Sequence, residues 1–201
     1  MVGGMGEIVL IRHGETTWSA TGQHTSITDL ELTDTGVAQA KGLTPLLEHR
    51  NFAAVWASPR KRASQTAELA GLAVTAVKDD LAEWAYGDYE GLTLDTIRES
   101  DPDWTIWTGG GKGPDGESAA QVERRLDRVI EAAKPLLAQG DVAFIAHGHS
   151  LRVAAARWLG RPAEDGRDFT IDTASIAALG HEHGRQAIAL WNLTAAVANP
   201  S

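Results

Sequence analysis

Two short apolar runs, Ile8-Val9-Leu10-Ile11 and Val142-Ala143-Phe144-Ile145-Ala146, are the strongest signals in the hydrophobic pattern of the chain. Unbroken runs of this length predict strands buried on both faces, as in a parallel sheet. Strands are expected at 7–11, 53–57, 73–77 and 141–146. Between them apolar residues recur at helical spacing. Thr33 can cap a helix running to about residue 49, with Gly42 and Pro45 weakening its second half. A second helix is expected from Arg60 to Ala70, stopped by Gly71. Ser118-x-x-Gln121 is a capping-box signature and opens a helix to about 138. Val122, Leu126, Val129, Ile130, Ala133 and Leu137 form its apolar face, and Pro135 should bend its last turn. A further helical stretch, Leu151 to Trp158, closes at Gly160. Near the end, alternation at 176–179 and 187–193 around His181-Glu182-His183-Gly184 predicts a closing hairpin. Alternating strands and helices predict a single three-layer α/β/α domain over residues 1–201, with a mostly parallel sheet flanked by helices and a C-terminal hairpin. Residues 101–116, rich in Gly and Pro, are expected to form a loop bordering the site.

The residues at the ends of the two apolar runs give the first chemical clue. The first run delivers Arg12-His13-Gly14-Glu15 and the second His147-Gly148-His149-Ser150. Open α/β sheets bind ligands beyond the carboxyl ends of their strands. Arginine offers a planar fork matched to phosphate oxygens, and a neutral imidazole is a nucleophile or a proton carrier. Glycine permits a tight turn or close approach of a ligand. The same device used twice suggests phosphoryl chemistry.

Composition narrows the partners. A chain of 201 residues can bury roughly 70% of its unfolded surface without covalent staples. It has no Cys, which excludes a disulfide scaffold, a thiolate zinc site and a cysteine phosphatase mechanism. A formal charge of −9 argues against a general nucleic-acid binder, so any anion site must be a local basic focus. Met1 to Gly6 lack a basic segment followed by an apolar run, and nowhere do about 18 apolar residues follow one another. No membrane partner and a cytoplasmic location are therefore expected, and a homodimer is left open.

Further motifs stand in a particular order. Leu32-Thr33 with Gly36 and Gln39-Ala40 come first, then Ser58-Pro59-Arg60-Lys61-Arg62-Ala63-Ser64-Gln65-Thr66-Ala67. Leu81-Ala82-Glu83 with Gly87 and Glu90-Gly91 come next, then Gly116-Glu117-Ser118. With Arg12-His13-Gly14-Glu15 they make the chain resemble the histidine phosphatase superfamily, also called phosphoglycerate mutase-like, from residue 7 to about 155. The stretch from Trp18 to Asp29 resembles its small bacterial acid phosphatase and sugar phosphatase branches. The resemblance implies hydrolysis of phosphate monoesters of small metabolites through a phosphohistidine, with no cofactor and no metal. It implies His13 as nucleophile, and Arg12, Arg62 and His147 as groups gripping the phosphoryl oxygens. Two other functions stay open, a cofactor-dependent phosphoglycerate mutase and an inactive module that binds phospho-ligands.

Monoester hydrolysis needs fixed positive charge, a nucleophile and a proton donor for the leaving oxygen. The donor should be a carboxyl group in a sheltered place, and Glu83, between Leu81-Ala82 and Trp84-Ala85-Tyr86, matches the family position. Asp79, Asp80 and Asp88 are expected in exposed turns. Glu15 should support the site, and Glu90 with Gly91 should fix the backbone after Glu83. Resemblance to the mutases points to Ser19, Gln23, Thr25, Ser26, Gly148 and His149 as substrate-binding residues. Ser19 and His149 depart from that pattern, since the mutases have Asn at the first and usually at the second. Of Trp18, Trp84, Trp104 and Trp107, one or two should wall the pocket.

Other readings are weaker. His147-x-His149 and His181-x-His183 have ligand-like spacing, but no carboxylate stands at the strand ends where a dinuclear hydrolase needs one. His49, His181 and His183 are expected at the surface. Gly148-His149-Ser150-Leu151-Arg152 fails as a serine elbow because Arg152 stands where Gly is needed. Gly111 to Gly116 match a dinucleotide fingerprint without a preceding strand. Against a mutase, no Arg follows Glu83 directly, and Arg98 and Lys112 are the only basic residues between Gly91 and Gly116.

Overall fold

A computed structural model of the protein describes residues 5–195. In chain order the elements are β1 (Ile8–Arg12), α1 (Thr17–Thr21), α2 (Asp34–Gly42), α3 (Thr44–Leu47), β2 (Phe52–Ala57), α4 (Lys61–Leu69) and β3 (Ala76–Val77). Next come α5 (Leu94–Ser100), α6 (Ile106–Gly109), α7 (Ala119–Ala133), β4 (Asp141–Ala146), α8 (Gly148–Trp158), β5 (Ser175–Glu182) and β6 (Arg185–Thr194). The strands form one six-stranded sheet in the order β3-β2-β4-β1-β5-β6. Strands β1 to β4 run parallel, and the β5-β6 hairpin adds antiparallel to β1.

Period-two alternation along the central strands sends side chains to opposite faces. Ile8, Leu10, Trp56, Val142 and Phe144 face one cluster, which α7, α8 and the segment carrying Trp84, Trp104 and Trp107 cover. Val9, Ile11, Val55, Ala143 and Ile145 face the other, covered by Leu43, Leu47, Ala63 and Ala67. The architecture is the three-layer α/β/α domain the pattern predicts. On α7 the buried stripe is Val122, Leu126, Val129, Ile130 and Ala133. Burying each large member stabilises the fold by about 1.5–3 kcal/mol. No helix among the described residues is long and apolar enough to cross a membrane.

Several expectations change. The 73–77 strand shrinks to Ala76–Val77, which pair with Trp56 and Ala57. The helix capped by Thr33 breaks after Gly42 and restarts as α3 with Pro45 in its first turn, where proline's missing N–H costs nothing. The Ser118 helix ends at Ala133, and Lys134–Ala138 tighten into a 3-10 turn around Pro135. Inside 101–116 lies α6, and α1 and α5 are further short helices that carry little periodic signal. The hairpin is longer than expected, turning at His183 and Gly184 with φ of 49° and 78°. That pair of positive φ values suits the right-handed twist of a two-residue hairpin turn.

Candidate active site

The sheet register brings the site together. Arg12 pairs with Ala146 and Ala57 with Ile145, so β1, β4 and β2 end level. The His13 N–H then donates to the Ala146 carbonyl at 3.0 Å, and the Ser58 N–H to the Ile145 carbonyl at 2.9 Å. The His13 and His147 rings emerge side by side, 5.1 Å between centroids at 64°. Gly14 packs on α2, where a Cβ would fall 2.5 Å from the Gly36 carbonyl oxygen. Its requirement for glycine therefore comes from a neighbouring backbone.

Both rings have their tautomer set by their partners. His13 Nδ1 lies 2.7 Å from the Gly14 carbonyl, which can only accept. The proton is on Nδ1 and the Nε2 lone pair is free. Burial, then the Arg62 and Arg12 charges, hold the His13 pKa well below the usual 6.5. At His147, Nδ1 accepts from Arg62 Nε at 3.1 Å, and a guanidinium can only donate. Its proton is therefore on Nε2, which donates to Ser58 Oγ at 2.6 Å. Burial, then Arg62, push its pKa down strongly too.

Arg62, fully buried at the start of α4, also donates from Nη1 to the Thr28 carbonyl and from Nη2 to the carbonyls of Thr25 and Ser26. Of its five N–H groups, one on Nη1 has no partner among the described residues. Arg12 donates from Nη1 to the Ile171 carbonyl at 2.6 Å, and its Nε is buried without a partner among the described residues. Unsatisfied guanidinium donors beside a neutral imidazole suit an oxyanion.

Glu83, 5% exposed, faces this group from the other layer. Its Oε1 accepts the N–H groups of Trp84 and Ser150, and its Oε2 that of His149. Two of these donors belong to the first turn of α8, whose amides point at an acceptor. Arg125 fastens the segment carrying Glu83: it donates to the carbonyls of Asp80 and Ala82 and pairs with both oxygens of Glu117. Glu117 in turn accepts the Ala85 N–H. The Glu90 carboxylate accepts the N–H groups of Ser26 and Thr28, so it orders the 24–28 loop and not the backbone after Glu83 as expected. Glu15 accepts the Thr33 hydroxyl at the start of α2, and Asp88 is exposed.

A cavity of about 180 Å³ opens over these groups. Of the sequence-predicted residues, Arg12, His13, Ser19, Gln23, Thr25, Glu83, Gly148 and His149 line it. Arg62, His147 and Ser26 lie buried behind the lining. Ser26 holds the Glu83 carbonyl through its hydroxyl, and the Ser19 hydroxyl is engaged with Thr16 in the capping box of α1. His49, His181 and His183 are exposed. Among the described residues no group of three His, Asp or Glu side chains is placed to hold a metal ion.

Comparison with known proteins agrees with this geometry. The family model of the histidine phosphatase superfamily (branch 1) matches residues 8–194. The chain belongs to that superfamily. An acid phosphatase of Mycobacterium tuberculosis is 47% identical over 189 residues, covering 93% of this chain and 92% of that protein. A sedoheptulose 1,7-bisphosphatase of Saccharomyces cerevisiae is 34% identical over 183 residues, covering 76% of this chain and 67% of that protein. A solved structure of an open reading frame product of Mycobacterium tuberculosis superposes with a TM-score of 0.90 at 46% identity, covering 94% of this chain and 98% of that one. As a histidine phosphatase, the protein is a phosphate-ester hydrolase.

In this histidine phosphatase the cavity wall differs from the expected one. None of Trp18, Trp84, Trp104 and Trp107 lines it. Trp84, Trp104 and Trp107 are buried a layer behind, with Trp104 5.3 Å from the His24 ring and Trp107 5.2 Å from the His149 ring. The lining in their place is His24, Tyr86 and Arg152, with Gly22 and Ile171. His24 donates from Nδ1 to the Leu92 carbonyl, which leaves Nε2 an acceptor, and the Tyr86 hydroxyl is 2.7 Å from His149 Nδ1. Burial, then the Glu83 charge, push the Tyr86 pKa well up, so the phenol stays protonated. The spacing of Arg152, three residues after His149 on α8, was the available signal, since such residues share a helix face. His24 and Tyr86 stand on non-helical segments and carry no periodic signal.

Proposed function

We propose that the protein hydrolyses phosphate monoesters of small metabolites through a phosphohistidine on His13, with broad acid or sugar phosphatase specificity. The observation that carries this reading is the bond from His13 Nδ1 to the Gly14 carbonyl. It leaves the Nε2 lone pair of a neutral ring free, on a side chain that lines the cavity together with Arg12. In the first step Nε2 attacks phosphorus and the ester P–O bond breaks. Arg12 and the remaining N–H of Arg62 stabilise the phosphoryl oxygens, and His147 holds Arg62 in place from behind. Glu83 gives a proton to the leaving alkoxide, from Oε2, the oxygen that accepts a single backbone amide. In the second step the ionised Glu83 takes a proton from water as it attacks the phosphohistidine, so that inorganic phosphate leaves and His13 is restored. The acid phosphatase and the bisphosphatase among the relatives support hydrolysis over isomerisation. The scarcity of basic residues after Glu83 supports it too, since a mutase must hold a glycerate carboxylate.

The test is phosphate release from p-nitrophenyl phosphate and a panel of sugar phosphates, run beside an enolase-coupled assay of 3-phosphoglycerate conversion with and without 2,3-bisphosphoglycerate. Release from several esters with negligible isomerisation is expected. Isomerisation faster than hydrolysis contradicts the reading and favours the mutase.

A further inference from the structure

The carbonyl that fixes the His13 tautomer belongs to a glycine, the residue least able to hold a peptide plane by itself. The Gly14 carbonyl accepts from His13 Nδ1 at 2.7 Å, and Nε2 is left bare. The carbonyl and the N–H of one peptide point in opposite directions from its plane. Turning the Gly14–Glu15 peptide over would therefore present the Glu15 N–H to the ring in place of the carbonyl. Nδ1 would then be an acceptor and the ring proton would sit on Nε2, which removes the lone pair that attacks phosphorus. A working nucleophile requires that this rotation be opposed.

Two side chains that do not line the cavity hold the peptides on either side of Gly14. Thr66 Oγ1, on α4, accepts the Gly14 N–H at 3.0 Å and donates to the Arg62 carbonyl at 2.7 Å, which fixes the peptide before the glycine. Gln39, half-buried on α2, accepts the Glu15 N–H at 2.9 Å through Oε1. That N–H and the carbonyl that meets His13 belong to the same peptide. Ring, peptide and Gln39 amide thus form one line of hydrogen bonds, in which each bond polarises the next. Turning the peptide over would break both bonds at once.

Gln39 is not required to attach α2 to the end of β1. The Thr33 N–H donates to the Glu15 carbonyl at 3.0 Å, Thr33 Oγ1 donates to Glu15 Oε1 at 2.7 Å, and the backbones at Gly14 and Gly36 pack directly against each other. The one hydrogen bond of the Gln39 side chain among the described residues is the bond to Glu15 N–H.

We infer that Gln39 is a positioning residue for the nucleophile, acting through the Gly14–Glu15 peptide to keep the His13 proton on Nδ1 and the Nε2 lone pair bare. The inference rests on the phosphohistidine reading of the same site. The arrangement follows the logic of a catalytic group oriented by a second group that a third one fixes, with a peptide as the second. Gln39 touches no substrate and exchanges no proton.

The test uses Gln39→Met, which keeps the length of the side chain and loses the acceptor, and Gln39→Glu, which keeps an acceptor. Gln39→Ala serves as a second variant without one. Uptake of label from a labelled monoester is timed in a single turnover at saturating ester, beside KM and the His13 tautomer read from proton–nitrogen correlations of the ring, assigned against His13→Ala. Gln39→Met and Gln39→Ala should take up label about tenfold or more slowly, with KM changed by less than about threefold. Their His13 rings should show a second tautomer, protonated on Nε2. Gln39→Glu should take up label within about threefold of the native rate and show the Nδ1-protonated ring alone. The rate constant belongs to the folded molecules, so a smaller folded fraction of a variant leaves it unchanged. Native labelling rates without the acceptor, equal losses with and without it, or a ring protonated on Nδ1 alone in the acceptor-free variants overturns the inference while the phosphohistidine reading stands. Native protein that releases phosphate with no label on His13 overturns the phosphohistidine reading and the inference with it.

Discussion

Arg62 Nε donates to His147 Nδ1 at 3.1 Å, and this contact makes His147 a neutral link between a buried cation and the Ser58 hydroxyl. The same guanidinium holds the carbonyls of Thr25, Ser26 and Thr28, so one side chain joins α4, the end of β4 and the loop over the cavity. Replacing Arg62 with Ala should lower kcat/KM by about 100-fold or more on aryl and alkyl esters alike, as for loss of one oxyanion donor, roughly 3 kcal/mol. Arg62→Lys should recover little, since a single ammonium cannot span the four acceptors. Steady-state kinetics decide it, and a loss under tenfold would reduce Arg62 to a packing residue.

Acidification should cost stability in a defined window. Burial holds the folded-state pKa values of His13, His147 and His149 well below 6.5, with Arg62 the next cause for the first two and Arg152 for the third. Above about pH 6.5 these rings are neutral in both folded and unfolded chains. As pH falls below that value the unfolded chain takes up protons that the folded one refuses, and stability falls by up to about 1.4 kcal/mol per pH unit for each such ring. Urea midpoints should therefore decline between pH 6.5 and 5, and His149→Gln should flatten the slope. The acid limb of kcat/KM should likewise lie below pH 6.5, because His13 stays neutral there. A limb at or above 6.5 contradicts a neutral nucleophile.

Glu83→Gln separates proton donation from binding. Alkyl phosphates, with poor leaving groups, should lose much more activity than p-nitrophenyl phosphate, which needs little proton transfer. Equal losses on both would move the acid elsewhere.

The Glu117–Arg125 pair should matter through the segment it fastens. The side chains are 22% and 9% exposed, so Arg125→Met strands a largely buried carboxylate and the carbonyls of Asp80 and Ala82. A loss of about 3–5 kcal/mol is expected, read as a fall in melting temperature of about 2–4 °C for each kcal/mol. The variant should also show the leaving-group dependence of Glu83→Gln, because Glu83 loses its fixed position. Pairing Arg125→Met with Glu117→Gln should recover part of the stability, and no recovery would argue against a coupled pair.

The sheet and the ends of its central strands were legible because each rule there is local. Unbroken apolar runs mark buried strands, and Arg12-His13-Gly14 and His147-Gly148-His149 come directly after them. The part of the cavity wall formed by His24, Tyr86 and Arg152 was not legible, because its chemistry comes from contacts distant in sequence. Glu90 reaches back to Ser26 and Thr28, and His24 is aimed by a carbonyl at Leu92. For Trp104 and Trp107, hydrophobicity predicts burial but not which aromatic lines a cavity and which backs it. For Arg152 the sequence offers only its helical spacing from His149, since its orientation depends on carbonyls at Gly166 and Arg167.

The central claim is that His13 carries the phosphoryl group, and the direct measurement is to trap it. Enzyme quenched in base during turnover of a labelled monoester should carry the label on His13, stable in alkali and lost in acid. His13→Ala should carry no label and release no phosphate while remaining folded by circular dichroism. A labelled residue other than His13, or full activity in His13→Ala, would contradict the account.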